Sequence, residues 1–173
     1  MSVYIATSLD GFIADSSGGL DWLELPNPEQ TDYGYAEFIS GIDALLMGRK
    51  TFEQVLTFDT WPYDKPVFVL SRSLMGVPEA LTEKAALVSG ELTDILAELA
   101  QKGYTSLYVD GGKVVQSCLR EDLVGELILS RIPVLLGGGV PLFGRLERRL
   151  RFTHQETKAF ESGLVQSRYV RSS

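Results

Sequence analysis

The chain has 173 residues, enough for one domain, 1–173, with a substantial core. Its formal net charge of −7 argues against a protein that coats nucleic acid. A single cysteine, Cys118, excludes an internal disulfide framework, and no apolar run approaches the roughly 20 residues of a membrane span.

The first residues, "MSVYIATSLDGFIAD", lack the basic region of a signal peptide, so the expected location is the cytoplasm. Within them "SVYIATS" is a β-rich run suited to a central strand. The stretch from Leu9 to Gln30 is rich in Gly, Ser, Asp and Pro, yet it carries Phe12, Ile13, Trp22 and Leu23. It reads as a loop that packs over something. Tyr35, Phe38, Ile39 and Ile42 keep helical spacing, which predicts an amphipathic helix over 32–41.

"DALLMG" predicts a buried strand and "KTFEQVL" a short helix. "KPVFVLSR" predicts a third strand, with Pro66 where a missing N–H is tolerated, and "AALVS" a fourth. Leu92, Ile95, Leu96 and Leu99 keep helical spacing again, and Gly103 stands where a glycine ends such a helix. "TSLYVD" is a strand, "GGKVVQSCLRE" a glycine turn into a helix, and "GELILSRIPVLL" a further strand. After "GGGVPLFG", extended segments near 149–158 and 163–171 flank the turn "ESG" as an antiparallel hairpin. This alternation predicts an α/β fold: a mostly parallel sheet, helices on both faces, and an antiparallel edge.

In such sheets ligands bind outside the carboxyl ends of the strands. Three strand ends carry informative residues. In "MGRKT", Gly48 permits a sharp turn while Arg49 and Thr51 offer donors to a phosphate. In "VLSR", Ser71 and Arg72 suit a ribose phosphate. In "YVDGGKVV", Gly111 and Gly112 let a ligand approach the backbone at a helix start. Each alone reads equally well as an ordinary turn or a solvated strand end. Together on one edge they reinforce each other, although G-x-G-x-x-G is absent and a Rossmann assignment is not supported. A fourth turn, Gly137–Gly139, reads either as a bulge or as close approach to a flat ligand.

His154 is the only histidine and has no Cys or His partner nearby in the chain, so neither a zinc site nor a Ser–His–Asp triad is expected. Cys118, among Val114, Val115 and Leu119, reads as a buried thiol rather than a nucleophile. The basic run "GRLERRLR" reads as a solvated face.

In order and spacing, "VYIATSLDGFIA", "LDW", "LLMGRKTFE", "VFVLSR", "LYVDGGKVV" and "PVLLGGGVPLF" resemble the dihydrofolate reductase superfamily. The nearer resemblance is to the branch of the C-terminal reductase domain of the bifunctional riboflavin-biosynthesis enzyme, marked by "SLDG" and "LLGGG" with "PLF". It implies a three-layer α/β/α domain that binds NADPH. By this resemblance Arg49 and Thr51 hold the cofactor's phosphates, and Ser71 and Arg72 stand near the adenosine 2′-phosphate. Gly111, Gly112, Lys113 and Val114 meet the pyrophosphate, and Ala6 and Ile13 line the nicotinamide pocket. The 9–22 loop is then a mobile lid, with Trp22 beneath it. Two arginines near a ribose phosphate favour NADPH over NADH.

Asp32 and Glu37 are the candidate acids on the helix before "MGR", each equally readable as a solvated helix-face acid. "FEQVLTFDTWPYDKP" departs from the segment that shapes the riboflavin enzyme's ribityl-phosphate pocket. The expectation is therefore an NADPH-dependent reductase acting on a C=N or C=O bond of a small flat heterocycle, pterin- or aminopyrimidine-like, or of a sugar-derived substrate. Its cleft would lie between the 9–22 loop, the 32–41 helix and the turn at Gly137 and Gly138. The rivals are a non-catalytic NADP(H)-binding protein and a scaffold module using the basic run. The resemblance also implies homodimers, for which the hairpin offers an edge.

Overall fold

The computed structural model describes residues 1–26 and 30–172, so residues 27–29 of the loop expected over 9–30 lie outside the described residues. Its main sheet has eight strands. Six are parallel: β1 (Ser2–Thr7), β3 (Ala44–Gly48), β4 (Val67–Leu70), β5 (Ala85–Val88), β6 (Leu107–Asp110) and β7 (Glu126–Arg131). They lie in the order β5-β4-β3-β6-β1-β7, so β6 is inserted between β3 and β1. The antiparallel strands β9 (Phe152–Ala159) and β10 (Val165–Arg171) complete the sheet beyond β7. A separate small ribbon pairs β2 (Phe12–Ala14) with β8 (Val140–Pro141).

Side-chain alternation along β3 explains the layers. Leu45 and Met47 face one side and Leu46 the other, all fully buried, and each contributes about 1.5–3 kcal/mol by leaving water. Two helices cover the Leu45 side: α1 (Tyr35–Ser40), through Tyr35 and Phe38, and α2 (Arg49–Val55), through Phe52. Two others cover the Leu46 side: α3 (Leu92–Gln101), through Ile95 and Leu99, and α4 (Gly112–Arg120), through Val114, Val115 and Cys118. This is the three-layer dihydrofolate reductase-like arrangement. Burial pushes the Cys118 thiol up to about 12, which leaves it inert at neutral pH.

Several boundaries differ from the sequence expectation. The helix predicted over 32–41 covers only Tyr35–Ser40. Asp32 precedes it and accepts hydrogen bonds from the Gly34 and Ala36 N–H groups. The apolar spacing survives because Ile42, beyond the helix end, still packs into the same cluster. The strand predicted from Gly125 to Leu136 ends at Arg131, after which the Val134 N–H turns back to the Ile132 carbonyl. Gly103 has φ +92 and follows Lys102, the C-cap of α3, as the left-handed stop that the sequence indicated. From Gly144 to Arg149 the basic run is exposed, and Arg148 pairs with Asp122 at 3.1 Å. No helix among the described residues is long and apolar enough to cross a membrane.

Candidate active site

Because six of the eight strands, β5 to β7 in sheet order, are parallel, their carboxyl ends share one edge. Register sets the turns level: Met47 pairs with Asp110, and Gly48 pairs with Leu70. The turn after β3 lies next to α4, since a Cβ added at Gly48 would stand 3.1 Å from Val114 Cγ2. Gly48 itself is extended, with φ −84, a conformation open to any residue. The sharp turn expected at Gly48 thus makes no use of a glycine's conformational freedom; an added Cβ would only press Val114 aside by a few tenths of an ångström.

Arg49 donates from Nε to Glu53 at 2.6 Å and from Nη1 to Ser73 Oγ at 2.9 Å. It therefore ties the turn after β3 to the turn after β4. In that second turn the Ser71 hydroxyl accepts from the Ser73 and Leu74 N–H groups at 3.2 and 3.1 Å, which holds the loop closed. Arg72 reaches Glu91 at 3.3 Å. Ser71, Arg72, Gly90, Glu91, Ser117 and Arg120 surround a groove of about 340 Å³.

The turn after β6 lies at the centre. Gly111 has φ +91, which L side chains rarely adopt, and a Cβ there would collide with the Thr51 hydroxyl. Thr51 and Gly111 are thus in direct apposition. A Cβ on Gly112 would stand 3.0 Å from Ile13 Cδ1 and 3.2 Å from the Pro141 carbonyl. Both glycines are buried, and the faces they leave without a side chain are filled by Thr51, Ile13 and Pro141; next to them the first N–H groups and dipole of α4 favour an anion. This cradle fits the pyrophosphate of a dinucleotide. Val114 is buried beneath it, Lys113 is exposed, and Ala6 is half-buried near the carboxyl end of β1.

Asp110, the last residue of β6, is the acid that sequence reasoning missed. It is half-buried, and its carboxylate accepts one hydrogen bond, from the Gly111 N–H at 2.7 Å. Burial pushes its carboxyl up to about 6. Its charge raises Tyr35, Tyr63 and Tyr108, which are already raised by burial. A carboxyl pushed up toward neutrality at a strand end, beside the start of α4, has the property of a general acid. The only sequence signal was its place between a strand and two glycines.

The 9–22 segment is more tightly built than a free lid. The Ser8 hydroxyl donates to Asp10 at 2.6 Å and accepts from the Phe12 N–H at 3.0 Å. The Leu9 N–H donates to Val134, and the Leu142 N–H to Gly11. Asp10 also accepts from Gly137 at 2.8 Å and Leu136 at 3.2 Å, so it clasps the Gly137–Gly139 turn to the first loop. In the first half of the expected lid, β2–β8 pairing and Asp10 tie the segment to the Gly137–Gly139 turn. Trp22 lies further on in a single 3-10 turn, half-buried, donating to the Gly19 carbonyl at 3.2 Å.

The Ser8 hydroxyl and the two loop N–H groups hold the Asp10 carboxyl below its ordinary value of 3.8. A depressed acid stabilises the fold above that value and loses its contribution as pH falls through the folded pKa. Asp10→Ala should therefore lower Tm at pH 7 and speed amide exchange at Leu136 and Gly137. The difference from wild type should shrink below pH 3.8. Equal exchange rates at pH 7 would refute the clasp.

The two acids named from sequence lie elsewhere. Asp32 is exposed, and its carboxyl is held below its ordinary value by the Ala36 and Gly34 N–H groups, the reverse of what a proton donor needs. Glu37 is exposed on α1. It lines a groove of about 410 Å³ with Tyr33, Lys158, Gln166 and Arg168, which shares no residue with the three turns. His154 bonds Thr157 at 2.7 Å on an exposed strand. No group of three or more metal-ligating side chains occurs among the described residues.

The family model described as the RibD C-terminal domain matches residues 2–166. The chain belongs to the RibD C-terminal domain family. The "Uncharacterized protein YwjB" of Bacillus subtilis (strain 168) is 34% identical, over 98% of this chain and 97% of that protein. A solved structure from Shewanella sp. PV-4, provisionally named for riboflavin biosynthesis, is 49% identical with a TM-score of 0.95, covering 99% of this chain and 98% of that one. The dihydrofolate reductase of Enterococcus faecalis, solved with NADP(H), has a TM-score of 0.67 at 20% identity, covering 99% of this chain and 96% of that one. At that identity the likeness speaks to fold alone. RibD C-terminal domains are a reductase family, and the chain shares the dihydrofolate reductase-like architecture.

Proposed function

We propose that this chain is an NADPH-dependent reductase of a small, flat heterocycle, pterin- or aminopyrimidine-like. The observation that carries the reading is the convergence of Thr51, Gly111, Gly112 and the start of α4 into a backbone cradle beside the raised carboxyl of Asp110. When bound, NADPH supplies a hydride to the carbon of a C=N or C=O bond. Gly111, Gly112 and the α4 start receive the pyrophosphate, and Arg49, Thr51, Ser71 and Arg72 take the remaining phosphate oxygens. Ile13, packed against Gly112, walls the nicotinamide side and helps to exclude water. Asp110 delivers the proton to the nitrogen or oxygen of the bond being reduced and is left as a carboxylate. Asp110, rather than Asp32 or Glu37, is the acid of this proposal, because burial raises its pKa, whereas backbone N–H groups lower that of Asp32 and Glu37 stands exposed on α1, away from the three turns.

The same proposal includes a cytoplasmic homodimer with a small-molecule substrate, its assembly to be read by sedimentation. The test of function is direct. NADPH titrated against tryptophan fluorescence should bind in the micromolar range, and NADPH oxidation should follow addition of a pterin or an aminopyrimidine ribityl phosphate. Binding without turnover on either substrate class would favour the non-catalytic nucleotide-binding reading. No binding would remove both and leave the scaffold module.

A further inference from the structure

We infer that Glu91 is a specificity-determining residue of the nucleotide site, one that narrows the preference for NADPH over NADH by competing with a 2′-phosphate for Arg72. The inference rests on the proposed nucleotide-binding reading and adds a residue to it. Glu91 occupies the N-cap position of α3, yet its side chain makes no capping bond there. It turns instead to Arg72, Oε1 to Nη2 at 3.3 Å, with both side chains more than three-quarters open to solvent or nearly so, at 79% and 75%. Both line the groove at the ends of β4 and β5, together with Ser71, Arg120 and Glu121. The second arginine of the expected clamp is also paired: Arg49 is held by Glu53 and Ser73.

The chemistry of the two cofactors separates at this point. A carboxylate accepts the hydrogen of a ribose 2′-hydroxyl and so tolerates NADH. Against the 2′-phosphate of NADPH, the same carboxylate is a like charge and already holds the guanidinium that the phosphate needs. Binding of NADPH therefore requires Glu91 to swing away, which its exposure permits, at an electrostatic penalty that NADH does not meet. Arg120 donates to Ser117 at 2.8 Å on the far wall and adds positive charge that acts on both cofactors' adenosine halves.

Two charges about 5 Å apart at a wet surface correspond to an affinity change of roughly three- to tenfold. The test uses the purified chain with four probes, NADPH, NADH, 2′,5′-ADP and 5′-ADP, by calorimetry in low and high salt. Glu91→Gln should tighten NADPH and 2′,5′-ADP by roughly three- to tenfold, less so in high salt, while NADH and 5′-ADP stay level or weaken. The gain should vanish in the double variant Arg72→Ala/Glu91→Gln, which separates competition for Arg72 from a general charge effect. Equal tightening of all four probes, or no change in NADPH, would overturn the inference while leaving the nucleotide reading intact. Failure of wild type and variant to bind any of the four would overturn the nucleotide reading and this inference with it.

Discussion

Replacing Gly111 with alanine should abolish nucleotide binding and destabilise the fold by about 2–5 kcal/mol. Two effects add. At φ +91 the backbone lies where an L side chain is strained, and the new methyl would collide with the Thr51 hydroxyl. Relief of that collision moves either α2 or the start of α4, and both form the cradle. Gly103 is the internal control, with nearly the same φ, +92, but with nothing within 4 Å of an added Cβ. Gly103→Ala should cost about 1 kcal/mol and leave nucleotide binding unchanged. Thermal unfolding and an NADPH titration of the two variants decide the matter. Equal losses would mean that the contact with Thr51 contributes nothing beyond backbone strain.

Asp110→Asn should remove turnover and at the same time make the protein more stable at pH 8. In the folded chain the carboxyl titrates at about 6, against an ordinary value of 3.8. The folded state holds this proton more tightly than the unfolded chain does. Stability therefore falls as pH rises between those two values, then stays level above them. At pH 8 the buried carboxylate is a liability on the order of 1–3 kcal/mol, and a neutral amide avoids it. Unfolding curves should show the variant ahead of wild type at pH 8 and level with it near pH 3.8. In activity, loss of a general acid costs about 10²–10⁴-fold, with nucleotide affinity kept. Wild-type kcat/KM should fall about tenfold per pH unit above the Asp110 titration, and the variant's residual rate should lose that dependence. A variant with full activity, or one less stable at pH 8, would place the acid elsewhere.

The opposite responses of Asp110 and Asp10 come from their environments. Asp10 is surrounded by donors, so its charge is welcome and its pKa is low. Asp110 has one donor and a wall of tyrosines, so its charge is resisted. The first is suited to holding two loops together, the second to releasing a proton. A site that keeps such a carboxyl gives up stability for chemistry, a trade common among enzymes.

The order of the eight main-sheet strands and four α-helices and the antiparallel hairpin were legible in the sequence, because period-2 and period-3.6 patterns and glycine punctuation are local properties of the chain, whereas the short β2–β8 ribbon was not. Helix α1 shows the limit of that reading. Its apolar spacing was correct, yet Asp32 accepts from the N–H groups of Gly34, at the cap, and Ala36, in the first turn, and the helix has six residues. The tail of the predicted 125–136 strand failed for a related reason. Its residues find partners in the Ser8–Gly11 loop rather than in the sheet.

The sequence by itself determined the fold class, the family motifs, and which turns carry glycine, arginine and hydroxyl groups. Only the tertiary structure decided what those groups do to one another. It set Gly48 close against Val114 and Thr51 against Gly111. It paired Arg72 with Glu91, 19 positions along the chain. It also pushed the Asp110 carboxyl up to about 6, because desolvation depends on what the folded chain places around it. Local pattern specifies where a group stands along the chain, whereas burial and long-range apposition, which set its chemistry, exist only once the chain has folded.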